Sequence, residues 1–125
     1  NEQWRLSDLI NVTLLQSSND GATAVASVAA SSGQSEVSDK FGRGSFVDAM
    51  NKKAAELGLA QTYFLNPTGL DEGLSLSGSY GSAQDIAVLF SHAIQTYPNI
   101  FDVTRSNERE FTSLNAIKHK KYKYK

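Results

Sequence analysis

Ser17-Ser18-Asn19, inside the polar run Gln16-Ser17-Ser18-Asn19-Asp20, places a hydroxyl and a carboxamide two positions apart. A hydroxyl both donates and accepts hydrogen bonds, so it can relay a proton toward a leaving group. A carboxamide offers two donors and one acceptor oxygen, so it can orient a peptide without carrying charge. The same residues have a structural reading. Ser, Asn and Asp are common between helices because their side chains satisfy the free amides of the helix that follows. Taken alone, the tripeptide reads as a turn.

Other candidates are weaker. Asp71-Glu72 could suggest an acid–base pair, but adjacent carboxylates in a Gly-rich loop are expected to be solvated. His92 lies beside an apolar helix face with no second histidine at helical spacing, so a structural role is expected rather than a ligand role. There is no cysteine, which excludes disulfides, thiolate zinc sites and a Cys nucleophile. No metal and no cofactor are expected. The 125 residues carry a formal net charge of -1, so the molecule as a whole is not built for nucleic acid. Its charge is uneven: Lys118, Lys120, Lys121, Lys123 and Lys125 crowd the C-terminal end. That tail could meet an acidic polymer or a membrane surface, or simply form a twisted strand with one basic face. No apolar run approaches a membrane span, and Asn1 to Ser7 does not read as a signal peptide.

The elements that must position Ser17 and Asn19 are mainly helical. A first helix is predicted from Ser7, as N-cap, to about Leu15, with Leu6, Leu9, Ile10 and Leu14 as its apolar stripe. The second runs from about Gly21 to Ala30, capped by Asn19 or Asp20 and ended by Gly33; its small side chains predict close approach to neighbours. Gln34 to Gly44 reads as a polar connection. Ser45-Phe46-Val47-Asp48 resembles a capping box for a third helix that Gly58 stops. Thr62 to Leu65 reads as a short strand, Asn66-Pro67-Thr68-Gly69 as a turn, and Asp71 to Gly81 as a surface loop. A fourth helix starts at Ser82, buries Ile86, Leu89, Phe90, Ala93 and Ile94, and ends at Tyr97-Pro98. Glu110 to Ser113 and Lys118 to Lys125 are predicted as two strands.

Several blocks in this order resemble one family. Leu9 to Asp20 is similar to the helix and loop that carry Ser-x-Asn in the low-molecular-mass penicillin-binding D-alanyl-D-alanine carboxypeptidases. Phe46-Val47-Asp48-Ala49-Met50-Asn51, Glu56-Leu57-Gly58-Leu59, Thr62-Tyr63-Phe64 and Asn66-Pro67-Thr68-Gly69-Leu70-Asp71 follow. Ser82 to Ala87 and Glu110-Phe111-Thr112 complete the likeness, which extends over nearly the whole chain. The resemblance implies serine chemistry built on Ser-x-x-Lys, Ser-x-Asn and Lys-Thr-Gly. It implies that Ser17 is the catalytic hydroxyl relaying a proton to the leaving amine. Asn19 then binds the substrate backbone, and Asp20 caps the second helix. Substrates would be peptidoglycan stem peptides, with β-lactams as trapping analogues, outside the cytoplasmic membrane.

The departures are as informative. No lysine of the chain has a serine three residues before it, and Lys-Thr-Gly does not occur; Thr68-Gly69 follows Pro67. The chain is therefore expected to begin after the first motif and to stop before the last. Residues 1–125 are expected to be a partial transpeptidase-like domain, mostly its helical subdomain, with about 108–125 opening the sheet region. The parent fold would be α+β, of the DD-peptidase/β-lactamase-like type, and this chain mainly α-helical with a few short strands. Such a piece is expected to be inactive alone. It should expose apolar faces, above all around the alanine-rich second helix, which a homo-oligomer or a complementing chain would cover. Two other readings stay open: a non-catalytic cell-wall-binding or interaction module derived from the fold, and an endopeptidase of the same family.

Overall fold

A computed structural model describes residues 2–32, 43–105, 108–115 and 122–123. The order is α1 (Leu6–Gln16), α2 (Asn19–Ser32), α3 (Arg43–Glu56), β1 (Tyr63–Phe64), β2 (Ser79–Tyr80) and α4 (Ala83–Thr96). A 3-10 helix (Pro98–Arg105), β3 (Glu108–Arg109) and β4 (Tyr122–Lys123) follow. The helices α1, α2 and α3 pack in sequence, and the 3-10 helix rests against both α1 and α4. The chain then returns to its beginning, where the Leu114 amide donates to the Gln3 carbonyl at 2.7 Å.

Helix ends follow local chemistry, not always at the expected residue. In α1 the N-cap is Arg5, whose side chain makes no capping bond, and Ser7 lies inside the first turn. Helix α3 already runs from Arg43, so Ser45 is not the cap of a box. Its C-terminus matches expectation. Gly58 has φ 72°; its amide donates to Ala55 at 3.0 Å, and the Leu59 amide donates to Ala54 at 2.9 Å. That is the Schellman arrangement, with buried Leu59 over buried Ala54. Just before this end, Lys53 and Glu56 form an exposed ion pair. Their hydrogen bond and opposite charges raise the lysine pKa and lower that of the glutamate.

Ser82 caps α4 as predicted, its hydroxyl accepting from the Asp85 amide at 3.1 Å. Asp85 itself is buried and turns outward from the helix: its carboxylate accepts from the Gln61 amide at 2.8 Å and the Thr62 hydroxyl at 2.9 Å. This fastens α4 to the entrance of β1. The other side of β1 is held by α3. Asn51 donates from Nδ2 to the Phe64 carbonyl at 2.8 Å and accepts the Phe64 amide on Oδ1 at 2.8 Å. The side-chain amide thus occupies the place of a neighbouring strand.

Three expectations need correction. The predicted loop Asp71 to Gly81 contains β2, which pairs antiparallel with β1 in the register Tyr63↔Tyr80 and Phe64↔Ser79. Ser79 and Tyr80 are strand because β1 supplies partners, not because their own pattern is strand-like. At the C-terminal end, β3 and β4 pair as Glu108↔Lys123 and Arg109↔Tyr122, so pairing begins earlier than Glu110. Most of the basic tail lies outside the described residues. Third, the apolar face of α4 is only partly covered: Phe90 is 51% and Ile94 53% exposed, although the 3-10 helix packs against α4 with Phe101 beside Phe90. Apolar side chains are thus exposed on α4, and on α2 as well, where Val28 is exposed although Ala26 and Ala30 are buried. Among the described residues the buried hydrophobic ones are small or few: Ala26, Ala30, Ala54, Leu59, Val103 and Phe111.

Candidate functional site

The corner between α1 and α2 is made by two residues. Ser17 ends α1 in the left-handed region, at φ 50° and ψ 45°, with its amide donating to the Thr13 carbonyl. It is the one non-glycine residue with positive φ among those described. The Ser18 amide reaches the same carbonyl at 3.2 Å. Ser18 then becomes the N-cap of α2: its hydroxyl accepts from the Gly21 amide at 3.0 Å, and its carbonyl accepts from the Ala22 amide at 2.9 Å. The expected caps, Asn19 and Asp20, instead occupy the first turn of α2. There the carboxylate of Asp20 complements the helix dipole.

This frame has a chemical consequence. The middle residue does the capping, which leaves both its neighbours' side chains unused. Among the described residues neither the Ser17 hydroxyl nor the Asn19 carboxamide has a hydrogen-bond partner, and both are exposed. They line one cavity of about 210 Å³ together with Thr13, Leu14, Ser18 and Thr68. A free hydroxyl and a free amide on one cavity wall can meet a peptide bond from the same side. The corner is tight because α1 and α2 meet at Gly21. A Cβ there would lie 2.2 Å from Thr13 Oγ1. That hydroxyl is fixed by its own bond to the Leu9 carbonyl at 2.7 Å.

Thr68 belongs to the cavity although its sequence announced only a turn. Asn66 organises that turn. Its Oδ1 accepts from the Thr68 amide at 3.1 Å, the Thr68 hydroxyl at 3.0 Å and the Gly69 amide at 2.7 Å. Its Nδ2 donates to the Leu70 carbonyl at 2.8 Å and to Glu72 Oε1 at 2.7 Å. Gly69 takes φ 74°, as the turn requires. Glu72 is thus a brace of the turn, and Asp71 beside it is exposed. His92 stands apart from this region: its Nδ1 lies 3.5 Å from the Thr96 hydroxyl, one turn along α4. Among the described residues no three His, Cys, Asp or Glu side chains are grouped to hold a metal ion. No described helix is long and apolar enough to cross a membrane.

Comparison with known proteins identifies the family of the chain. The family model for D-alanyl-D-alanine carboxypeptidases matches residues 1–125. The D-alanyl-D-alanine carboxypeptidase DacA of Escherichia coli is 36% identical over 115 residues, which is 92% of this chain and 25% of that protein. The chain therefore spans about a quarter of the length of the curated relatives it matches. The crystal structure of D-alanyl-D-alanine carboxypeptidase from Mycobacterium tuberculosis superposes with a TM-score of 0.70 at 28% identity, covering 93% of this chain and 38% of that one. Penicillin-binding protein D2 from Listeria monocytogenes, in its ampicillin-bound form, shares the fold with a TM-score of 0.68 at 24% identity, covering 92% and 41%.

Proposed function

The chain belongs to the D-alanyl-D-alanine carboxypeptidase family, and on that premise we propose that it supplies the Ser-x-Asn wall of a serine-type carboxypeptidase site. In this reading residues 1–125 are the mainly helical part of a transpeptidase-like domain, with about 108–125 opening toward its sheet. The whole enzyme acts outside the cytoplasmic membrane on peptidoglycan stem peptides.

The reaction begins when a serine of a Ser-x-x-Lys element attacks the carbonyl carbon between the two terminal D-alanines. The serine proton is taken up by its lysine, and an ester forms as the C–N bond breaks. Ser17 passes a proton to the nitrogen of the leaving D-alanine, because its hydroxyl can donate one hydrogen bond while accepting another. Asn19 pairs with the substrate backbone and holds the carbonyl in line. Water then cleaves the ester and releases the shortened peptide. A β-lactam enters the same sequence and stops at the acyl stage, as expected of a relative of a protein crystallised with ampicillin.

One observation carries this reading: Ser17 and Asn19 line a common cavity with their polar groups unengaged, while Ser18 alone caps α2. The left-handed Ser17 supports it, since backbone strain on a non-glycine residue is retained where the surroundings enforce it, often at sites of function. The 125 residues contain neither Ser-x-x-Lys nor Lys-Thr-Gly. The nucleophile is accordingly assigned to polypeptide beyond these residues, and the 125-residue chain alone is expected to be inactive.

Fluorescent penicillin tests this directly. The expected result is no covalent label on residues 1–125 and a label on a polypeptide extended to include both missing motifs. Labelling of the 125-residue chain itself would sink the assignment of the nucleophile. An extended protein that stays unlabelled would favour a non-catalytic wall-binding module. Cleavage of cross-linked rather than linear peptides would make the enzyme an endopeptidase.

A further inference from the structure

The cavity at Ser17 and Asn19 holds about 210 Å³, smaller than the roughly 300–1,000 Å³ of common ligand pockets. A larger cavity of about 530 Å³ is bounded by Thr23 of α2, Val47 and Asp48 of α3, and the turn residues Leu65, Asn66 and Thr68. Thr68 lines both. It therefore stands where the two spaces meet.

Thr68 is also firmly placed. Its hydroxyl donates to Asn66 Oδ1 at 3.0 Å and accepts from the Leu70 amide at 3.2 Å. Below the turn runs Gly78, where a Cβ would come within 2.1 Å of the Leu70 carbonyl oxygen and 2.7 Å of the Gly69 carbonyl carbon. The turn cannot sink into that space without clashing, and Asn51 fixes the strand that leads into it. A side chain held in this way, with its hydroxyl spent inside the turn, offers a substrate volume rather than chemistry.

We propose that Thr68 is a specificity-determining residue, the size filter between the Ser17–Asn19 corner and the larger cavity. Peptides extended on the N-terminal side of D-Ala-D-Ala pass it and occupy both spaces. This rests on the carboxypeptidase reading above. It adds that preference for longer peptides is set by bulk at position 68.

The test uses the complete polypeptide with both missing motifs and compares kcat/KM for an acetylated pentapeptide and an acetylated tripeptide, each ending in D-Ala-D-Ala. Thr68→Phe should lower the pentapeptide-to-tripeptide ratio at least tenfold. Thr68→Val, of equal size but without the hydroxyl, should hold the ratio within twofold of the parent, and Thr68→Ala should not lower it. If Thr68→Phe fails to fold by circular dichroism, Thr68→Leu takes its place with a smaller shift in the same direction. A folded bulky variant with an unmoved ratio overturns the proposal, as does a Val variant that shifts the ratio as far as Phe. Ser17→Ala in the same protein separates the two readings. If it abolishes turnover while the ratio ignores position 68, only the filter fails. If turnover survives Ser17→Ala, or the parent has none, the carboxypeptidase site falls and the filter with it.

Discussion

Replacing Ser17 by glycine separates the shape of the corner from its chemistry. At φ 50° and ψ 45° the Ser17 Cβ crowds the carbonyl that follows; this costs an L-residue about 1–2 kcal/mol. Glycine removes that cost but has more unfolded-chain freedom to lose, about 0.5–1 kcal/mol. The difference leaves Ser17→Gly more stable by about 0.75 kcal/mol. Alanine keeps the Cβ, and the lost hydroxyl has no partner among the described residues, so Ser17→Ala should stay within about 0.5 kcal/mol of the parent. Valine adds a branch in a region hostile to branching and should lose more than about 1 kcal/mol. Urea unfolding at constant m-value should therefore rank Gly first, Ser and Ala together, and Val last. In the polypeptide extended to include both missing motifs, all three variants should lose acyl-enzyme turnover, since all three lose the hydroxyl. A glycine variant that is the least stable would refute the left-handed assignment. The predicted stability order with turnover intact would leave the backbone argument standing and remove the proton relay.

Ser18→Ala should cost about 1 kcal/mol in the same assay through loss of the α2 cap, whereas Asn19→Ala and Asp20→Ala should not show a cap-sized loss. Gly21→Ala should destabilise by about 1–3 kcal/mol, since its Cβ meets Thr13 Oγ1 at 2.2 Å. Thr13→Ala in the same chain should recover part of that loss, and a double-mutant cycle reads the coupling. Asn51→Ala leaves the Phe64 amide and carbonyl without their partner and should cost about 2 kcal/mol by thermal or urea unfolding.

Much of the frame could be read from residue types because some residues have one use. Gly58 after an apolar helix stripe, Ser82 before Asp85, and Asn66 ahead of Pro-Thr-Gly each act within a few residues, and each does what its chemistry predicts. Residue types do not decide where several residues compete for one role. Ser18, Asn19 and Asp20 are nearly equal as caps. The left-handed turn at Ser17 decides between them, and it leaves no mark in composition. Nor do residue types decide where structure depends on a distant partner. Ser79-Tyr80 becomes a strand only because Tyr63-Phe64 lies beside it, and Phe90 and Ile94 stay about half exposed although the 3-10 helix packs against α4 with Phe101 beside Phe90. At the proposed site, Ser17 and Asn19 stand out in the sequence only through the neighbouring blocks that resemble the family, and the structure places both on one cavity. Thr68 was legible only as a turn residue, since its place beside them follows from how β1 is anchored between α3 and α4.

That anchoring also bears on solubility. The pair β1 and β2 is a two-stranded ribbon, and such ribbons leave outward-facing amides and carbonyls as templates for strands of other molecules. On β1 the outward pair belongs to Phe64, and Asn51 occupies both groups. A single helical carboxamide thus serves as a plug against edge-to-edge association. Its removal should show in the folded protein as concentration-dependent self-association, a liability distinct from any loss of stability.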